Sequence, residues 1–133
     1  MSVEFVSMSR NAARANFASD LVLAGEGGLV AGVLPIDLGN DRVHLPEQIE
    51  AQTRKVLANL EAILKASGLG KDSVVAVRVA LVDLPRLEER METAYAGFFP
   101  ADRLPARSVI GVAALPRGAL IAMDFTLRLP GKS

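Results

Sequence analysis

Residues 73–82 read SVVAVRVALV, and this run decides the fold. β-branched side chains pack well on a pleated surface and are stiff at their first torsion, so they favour strands. Along a strand, successive side chains point to opposite faces. One set here is Val75, Val77, Val79 and Leu81; the other is Val74, Ala76, Ala80 and Val82, interrupted only by Arg78. Apolar residues on both sets mark a strand covered on both sides.

The flanking segments supply one cover. Over residues 46–67, Ile49, Val56, Leu57, Leu60, Ile63 and Leu64 recur at helical spacing on one face. Pro46 suits the first turn of this helix and Gly68 the position just past its end. Glu47 and Glu50 complement the positive N-terminus and Lys65 the negative C-terminus. Glu50 with Arg54, and Glu61 with Lys65, are i,i+4 pairs. A second helix is expected over residues 83–99, capped at or beside Asp83, with Pro85 in its first turn and Pro100 ending it. Its expected buried stripe is Leu84, Leu87, Met91, Tyr95, Phe98 and Phe99.

Further outward, residues 3–8 alternate as a short strand. Residues 19–24 and 29–34 are apolar runs joined by Gly25-Glu26-Gly27-Gly28, a hairpin pattern. Residues 35–45 are polar, with Gly39-Asn40-Asp41 as turn chemistry. Residues 107–113 and 120–129 are two more strands, turned at Pro116-Arg117-Gly118. The order is β-β-β-α-β-α-β-β. It predicts an α/β (α+β) chain, one domain over residues 1–133, with a single-layer mixed sheet and two helices on one face. Along the last strand Ile121, Met123, Phe125, Leu127 and Leu129 fill one face; Leu120, Ala122, Asp124, Thr126 and Arg128 share the other. With helices on one side only, the second apolar face needs another cover, and a further copy of the chain is the simplest.

Composition narrows the function. The chain has 133 residues, half of them hydrophobic, with five Phe, one Tyr and no Trp, so its core is aliphatic. Fifteen basic residues balance fifteen acidic ones, so there is no general electrostatic footprint for nucleic acid. The absence of cysteine removes disulfides, iron–sulfur clusters, thiolate zinc sites and a cysteine nucleophile, and fits a reducing cytoplasm. No run approaches the roughly 20 apolar residues of a membrane helix. Nothing in the first twenty residues, where Arg10 and Arg14 lie among small and polar neighbours, resembles a secretory signal. No cofactor or metal site is expected.

Arg107 stands at the mouth of a strand after a Pro-containing loop. Its planar fork matches a carboxylate in two parallel hydrogen bonds. On pattern alone a surface salt bridge is the preferred reading. His44, the single histidine, sits in a polar loop and reads as solvated. Arg78 needs a partner within its strand, and Asp124 is a candidate, between strands or across a subunit interface; an ion pair is preferred to a polar ligand wall. Gly25-Glu26-Gly27-Gly28 lacks the following helix of a phosphate cradle.

Four segments together resemble the Rid family, also called YjgF-like or endoribonuclease L-PSP. They are Pro105-Ala106-Arg107-Ser108 leading to Leu115-Pro116; residues 29–35, LVAGVLP; residues 52–60, QTRKVLANL; and Tyr95-Ala96-Gly97-Phe98-Phe99. The resemblance runs in order along nearly the whole chain. It implies a YjgF/chorismate-mutase-like fold and a barrel-forming homotrimer, with small-carboxylate clefts between subunits. It also implies hydrolysis of enamines and imines, generated by pyridoxal-phosphate enzymes, to 2-keto acids and ammonia. The substrate carboxylate falls to Arg107, and the cleft is expected to include Ser108, Gly32, Val109, Ala122, Phe17 and Phe99. Ala122 stands where active members carry an acid; Asp124, two residues on and roughly 6–7 Å along the strand, is the candidate replacement. Val109 replaces a small residue, often Cys; Ala31 replaces a hydroxyl residue; Phe17 or Ala18 replaces a tyrosine. Three functions follow for comparison: an enamine/imine deaminase, a 2-keto acid binder or sensor without chemistry, and a ribonuclease. The neutral charge and the single histidine make the ribonuclease the weakest.

Overall fold

The structure, a computed structural model, describes residues 2–7, 18–38 and 45–130. Phe17, His44 and the Gly39-Asn40-Asp41 turn lie outside them. Strands β1 (Val3–Val6), β2 (Leu21–Ala24) and β3 (Gly27–Val33) come first, then helix α1 (Ile49–Ala66). Strand β4 (Val74–Val82), helix α2 (Leu84–Tyr95), β5 (Ala106–Val112) and β6 (Ile121–Arg128) follow. This is the expected order. The six strands form one sheet, β1-β2-β3-β6-β4-β5. Among the described residues only the β4–β5 pair, bridged by α2, is parallel. Among the described residues no helix is long and apolar enough to cross a membrane.

The core lies between the helices and one sheet face. Val77, Val79, Leu81, Ile121, Met123, Phe125 and Leu127 meet Val56, Leu60, Ile63 and Leu64 of α1 and Leu87 and Met91 of α2. The Phe125 ring and Leu60 are among the largest fully buried side chains. Among the described residues no second layer covers the other face. Partner residues in the register point the same way, so Phe5, Val22, Leu29 and Thr126 form one row across it. Phe5 is 70% exposed, Leu29 58% and Ile110 43%, a spread of large apolar side chains open to water in the single chain.

Boundaries moved where local chemistry outweighed pattern. The hairpin turn is only Gly25-Glu26; Gly27 and Gly28 are inside β3, where a Cβ on Gly28 would lie 2.9 Å from the Leu23 side chain. Helix α1 starts at Ile49, three residues later than expected, because Gln52 donates from Nε2 to the Pro46 carbonyl and holds that residue in the entering loop. It ends as expected. Gly68 takes φ +70°, and the Gly68 and Leu69 amides donate to the carbonyls of Lys65 and Leu64, the two bonds of a Schellman cap. Helix α2 stops at Tyr95 rather than at Pro100, with Gly97 at φ +84° turning the chain. Asp83 precedes it at φ 52° without a side-chain cap; its carboxylate accepts from Arg86 instead.

Polar residues on the buried face of α1 fix the sheet to the helix. Asn59, 4% exposed, donates from Nδ2 to the carbonyls of Leu34 and Ile36, both at 2.8 Å. The Gln52 side-chain oxygen accepts from the Leu120 amide at 2.9 Å. Asn59→Leu strands two buried carbonyls and should cost about 2–3 kcal/mol of stability in urea unfolding; an unchanged midpoint would remove this role. Between the helices, Arg90 donates to both carboxylate oxygens of Glu50 at 2.8 and 3.0 Å, while Arg54, the expected i,i+4 partner, adds a smaller charge attraction. Hydrogen bonding from Arg90 lowers the Glu50 pKa below the ordinary carboxylate value. A lowered folded-state pKa adds stability that is present at neutral pH and is lost as pH falls through that pKa. In Arg90→Gln the Glu50 titration, followed by carboxyl NMR, should move up towards the ordinary value.

Candidate functional site

Antiparallel to β4, helix α2 brings its last turn back to where β4 and β5 begin. Arg107 is the second residue of β5 and pairs with Val77, whose buried side chain faces the helices. Arg107 therefore turns to the helix side at the sheet edge and meets α2. Its Nη1 and Nη2 donate to the two carboxylate oxygens of Glu92 at 2.6 and 2.5 Å. The guanidinium carbon lies 4.6 Å from the centre of the Tyr95 ring, within cation–π range. The Glu92 hydrogen bonds raise the Arg107 pKa, keeping it cationic. Burial raises the Tyr95 phenol pKa, with Arg107 pulling the other way.

These three residues line a cleft of about 630 Å³ together with Phe99, Gly97 and Leu104. Phe99, 4% exposed, forms its base and meets Phe98 edge-on at 4.8 Å. The cleft wall is largely apolar, with one charged pair at its rim. Small-molecule sites commonly have this composition. The Arg107 side chain is 26% exposed and that of Glu92 35%, so a solute can reach both.

The other expected residues lie elsewhere. Val109 pairs with Val79 on the helix side and packs against the core. Ser108 pairs with Arg78 on the open face, and Arg78 in turn lies opposite Asp124. A shallower concavity of about 470 Å³ there is lined by Ala76, Arg78, Ser108, Asp124 and Thr126. Arg107 borders it, with its side chain turned to the helices. No ion pair joins Arg78 and Asp124 among the described residues. Instead, Asp124 Oδ1 accepts from the Gly32 amide at 2.6 Å, where β3 shifts register between Val30 and Val33. Gly32 holds φ +64°, a conformation that suits glycine and lets the bulge aim this amide at β6. Ala122, 8% exposed, is nested against Leu34, Ile36 and Ala119.

Arg107, Val109 and Phe99 are thus on one side of the sheet, and Gly32, Ala122, Asp124 and Ser108 on the other. Glu92 was missed in the sequence. Its signal was indirect: in a strand–helix–strand unit with parallel strands, the last turn of the helix faces the start of the second strand. An acid one turn before Tyr95 is thereby aimed at Arg107.

The six-stranded sheet with two helices on one face, and an arginine cleft at its β5 edge, defines an α+β protein of the YjgF type. The sequence profile of the family described as Endoribonuclease L-PSP matches residues 8–127. A RutC family protein of Pyrococcus horikoshii is 35% identical over 106 residues, covering 80% of this chain and 82% of that protein. Reactive Intermediate Deaminase A, chloroplastic, of Arabidopsis thaliana is 37% identical over 121 residues; the match spans 91% of this chain and 63% of that protein's length. The crystal structure of a Thermotoga maritima relative superimposes with TM-score 0.84 at 32% identity, over 98% of this chain and 100% of that one. That of the YjgF gene product of E. coli gives 0.79 at 25% identity, over 94% and 98%. The chain belongs to the endoribonuclease L-PSP family, the Rid/YjgF proteins.

Proposed function

We propose that this chain binds the carboxylate of a small acid through Arg107, in clefts completed between the copies of a homotrimer. There it hydrolyses enamine or imine intermediates to 2-keto acids and ammonia. The observation that carries this reading is the Arg107 fork itself. It already holds a carboxylate in the planar, two-bond geometry at the rim of a reachable apolar cleft. A relative named as a reactive intermediate deaminase supports the chemistry. In the reaction water adds to the imine carbon and ammonia leaves. Positioning can supply much of the acceleration for so reactive a substrate. Asp124 of a neighbouring copy is the acid we assign to orient the water, since within one chain it and the Arg107 guanidinium face opposite sides of the sheet. The exposed apolar side chains Phe5, Leu29 and Ile110 support assembly. A cytoplasmic setting belongs to the same reading and rests on the cysteine-free composition.

One observation favours a second reading, a 2-keto acid binder without chemistry. Ala122 is a methyl in an apolar nest, and Asp124 already engages one oxygen with Gly32. The two separate in one assay. A dehydratase generates 2-aminoacrylate from serine, and pyruvate release is timed with and without this protein. The deaminase reading expects faster release, abolished by Arg107→Ala; no acceleration leaves the binder.

A further inference from the structure

A carboxylate that enters the cleft must deal with the one already there. Glu92 takes the Nη1/Nη2 edge of Arg107 and leaves its Nε edge to a ligand, so a second carboxylate there brings two negative charges to one guanidinium. A ligand with only a carboxylate, such as a 2-keto acid, gains the Nε edge of Arg107 but sets its charge beside that of Glu92 with no second cation to offset it. A ligand with a protonated nitrogen next to its carboxylate has no such conflict. Its carboxylate takes Arg107 and its ammonium or iminium takes Glu92, so every charge keeps a partner. Apolar walls from Phe99 and Leu104 limit the space and raise the cost of an unpaired charge.

We infer that Glu92 is a specificity-determining residue of this cleft, selecting small acids that carry a cationic nitrogen on the carbon beside the carboxylate over the corresponding keto acids. The inference rests on the reading of Arg107 given above. For a deaminase the consequence is directional: the protonated imine is held by both residues, while the keto-acid product meets Glu92 as a repulsive neighbour and leaves. Specificity by a built-in repulsion is a common device. Glu92 is partly buried at the cleft and lies outside the core, so it can be exchanged without emptying packed volume.

Alanine and pyruvate share a three-carbon acid skeleton and differ at the second carbon. Their binding to the full-length wild type and to Glu92→Gln is measured by calorimetry or ligand-observed NMR, with a thermal melt to show that the variant is folded. We expect the wild type to prefer alanine by about tenfold and Glu92→Gln to lose or reverse that preference, with pyruvate binding about tenfold tighter than to the wild type. Glu92→Ala should shift in the same direction. Equal pyruvate affinity in wild type and both variants, with binding still lost in Arg107→Ala, overturns the role of Glu92 and leaves Arg107 standing. No binding of either acid to the wild type or either variant overturns the Arg107 reading and this one with it.

Discussion

Arg107→Ala will weaken binding of a small carboxylate by roughly a hundredfold, about 3 kcal/mol, while leaving the fold intact. Two charge-assisted hydrogen bonds are lost together, and the loss is compounded by Glu92, which becomes an unpaired negative charge at the same rim. Arg107→Lys separates charge from shape. It keeps the cation but not the planar fork, and should retain part of the affinity, about tenfold below wild type. Stability should change little in either variant. The Arg107–Glu92 pair is a quarter to a third exposed, and pairs of that kind contribute at most about 1 kcal/mol. Calorimetric titration with a 2-keto acid alongside urea unfolding reads both quantities. Full affinity in Arg107→Ala would place the carboxylate site elsewhere.

Charge placed on the open sheet face should break the assembly. Leu29 and Ile110 are 58% and 43% exposed in the single chain. If copies cover that face, each side chain contributes about 1.5–3 kcal/mol by burial, and a carboxylate in its place adds a desolvation cost. Leu29→Asp or Ile110→Asp should move the mass seen by analytical ultracentrifugation from three chains to one at micromolar concentration. The same substitution on a face that is truly open changes stability by no more than about 0.5 kcal/mol. Ligand affinity should fall with assembly, because in the proposed trimer a neighbouring copy supplies Gly32, Ala122 and Asp124 to the cleft. An unchanged mass in both variants, or a wild type that sediments as one chain, would remove the shared cleft.

Most of the fold was legible because two periodicities carry it. The doubly apolar run around Val77 and Val79 read as a strand covered on both faces; in the single chain it lies between β6 and β5 with its Val77 and Val79 side buried under the helices and Val75 45% exposed. The helical stripe of Val56, Leu60 and Ile63 is buried against the sheet. Helix ends were less legible because side chains decide them. Gln52 keeps Pro46 outside α1, and Gly97, five residues after Glu92, ends α2's path before Pro100. The site was legible only in part. The Arg107 motif marked a residue but not its partner, since the pairing with Glu92 depends on how a crossover returns to the sheet. Equally, Asp124 and Arg78 are direct cross-strand neighbours, yet the carboxylate bonds to a bulge amide that no strand periodicity reveals.

The most direct measurement is an NMR titration of the protein labelled with nitrogen-15 in its arginine side chains, adding a small 2-amino or 2-keto acid. We expect the Arg107 Nε–H resonance to shift and saturate with the ligand, with the other arginines largely unmoved and the response absent in Arg107→Lys. Ligand binding that leaves the Arg107 resonance in place would contradict the assignment of this guanidinium as the carboxylate clamp.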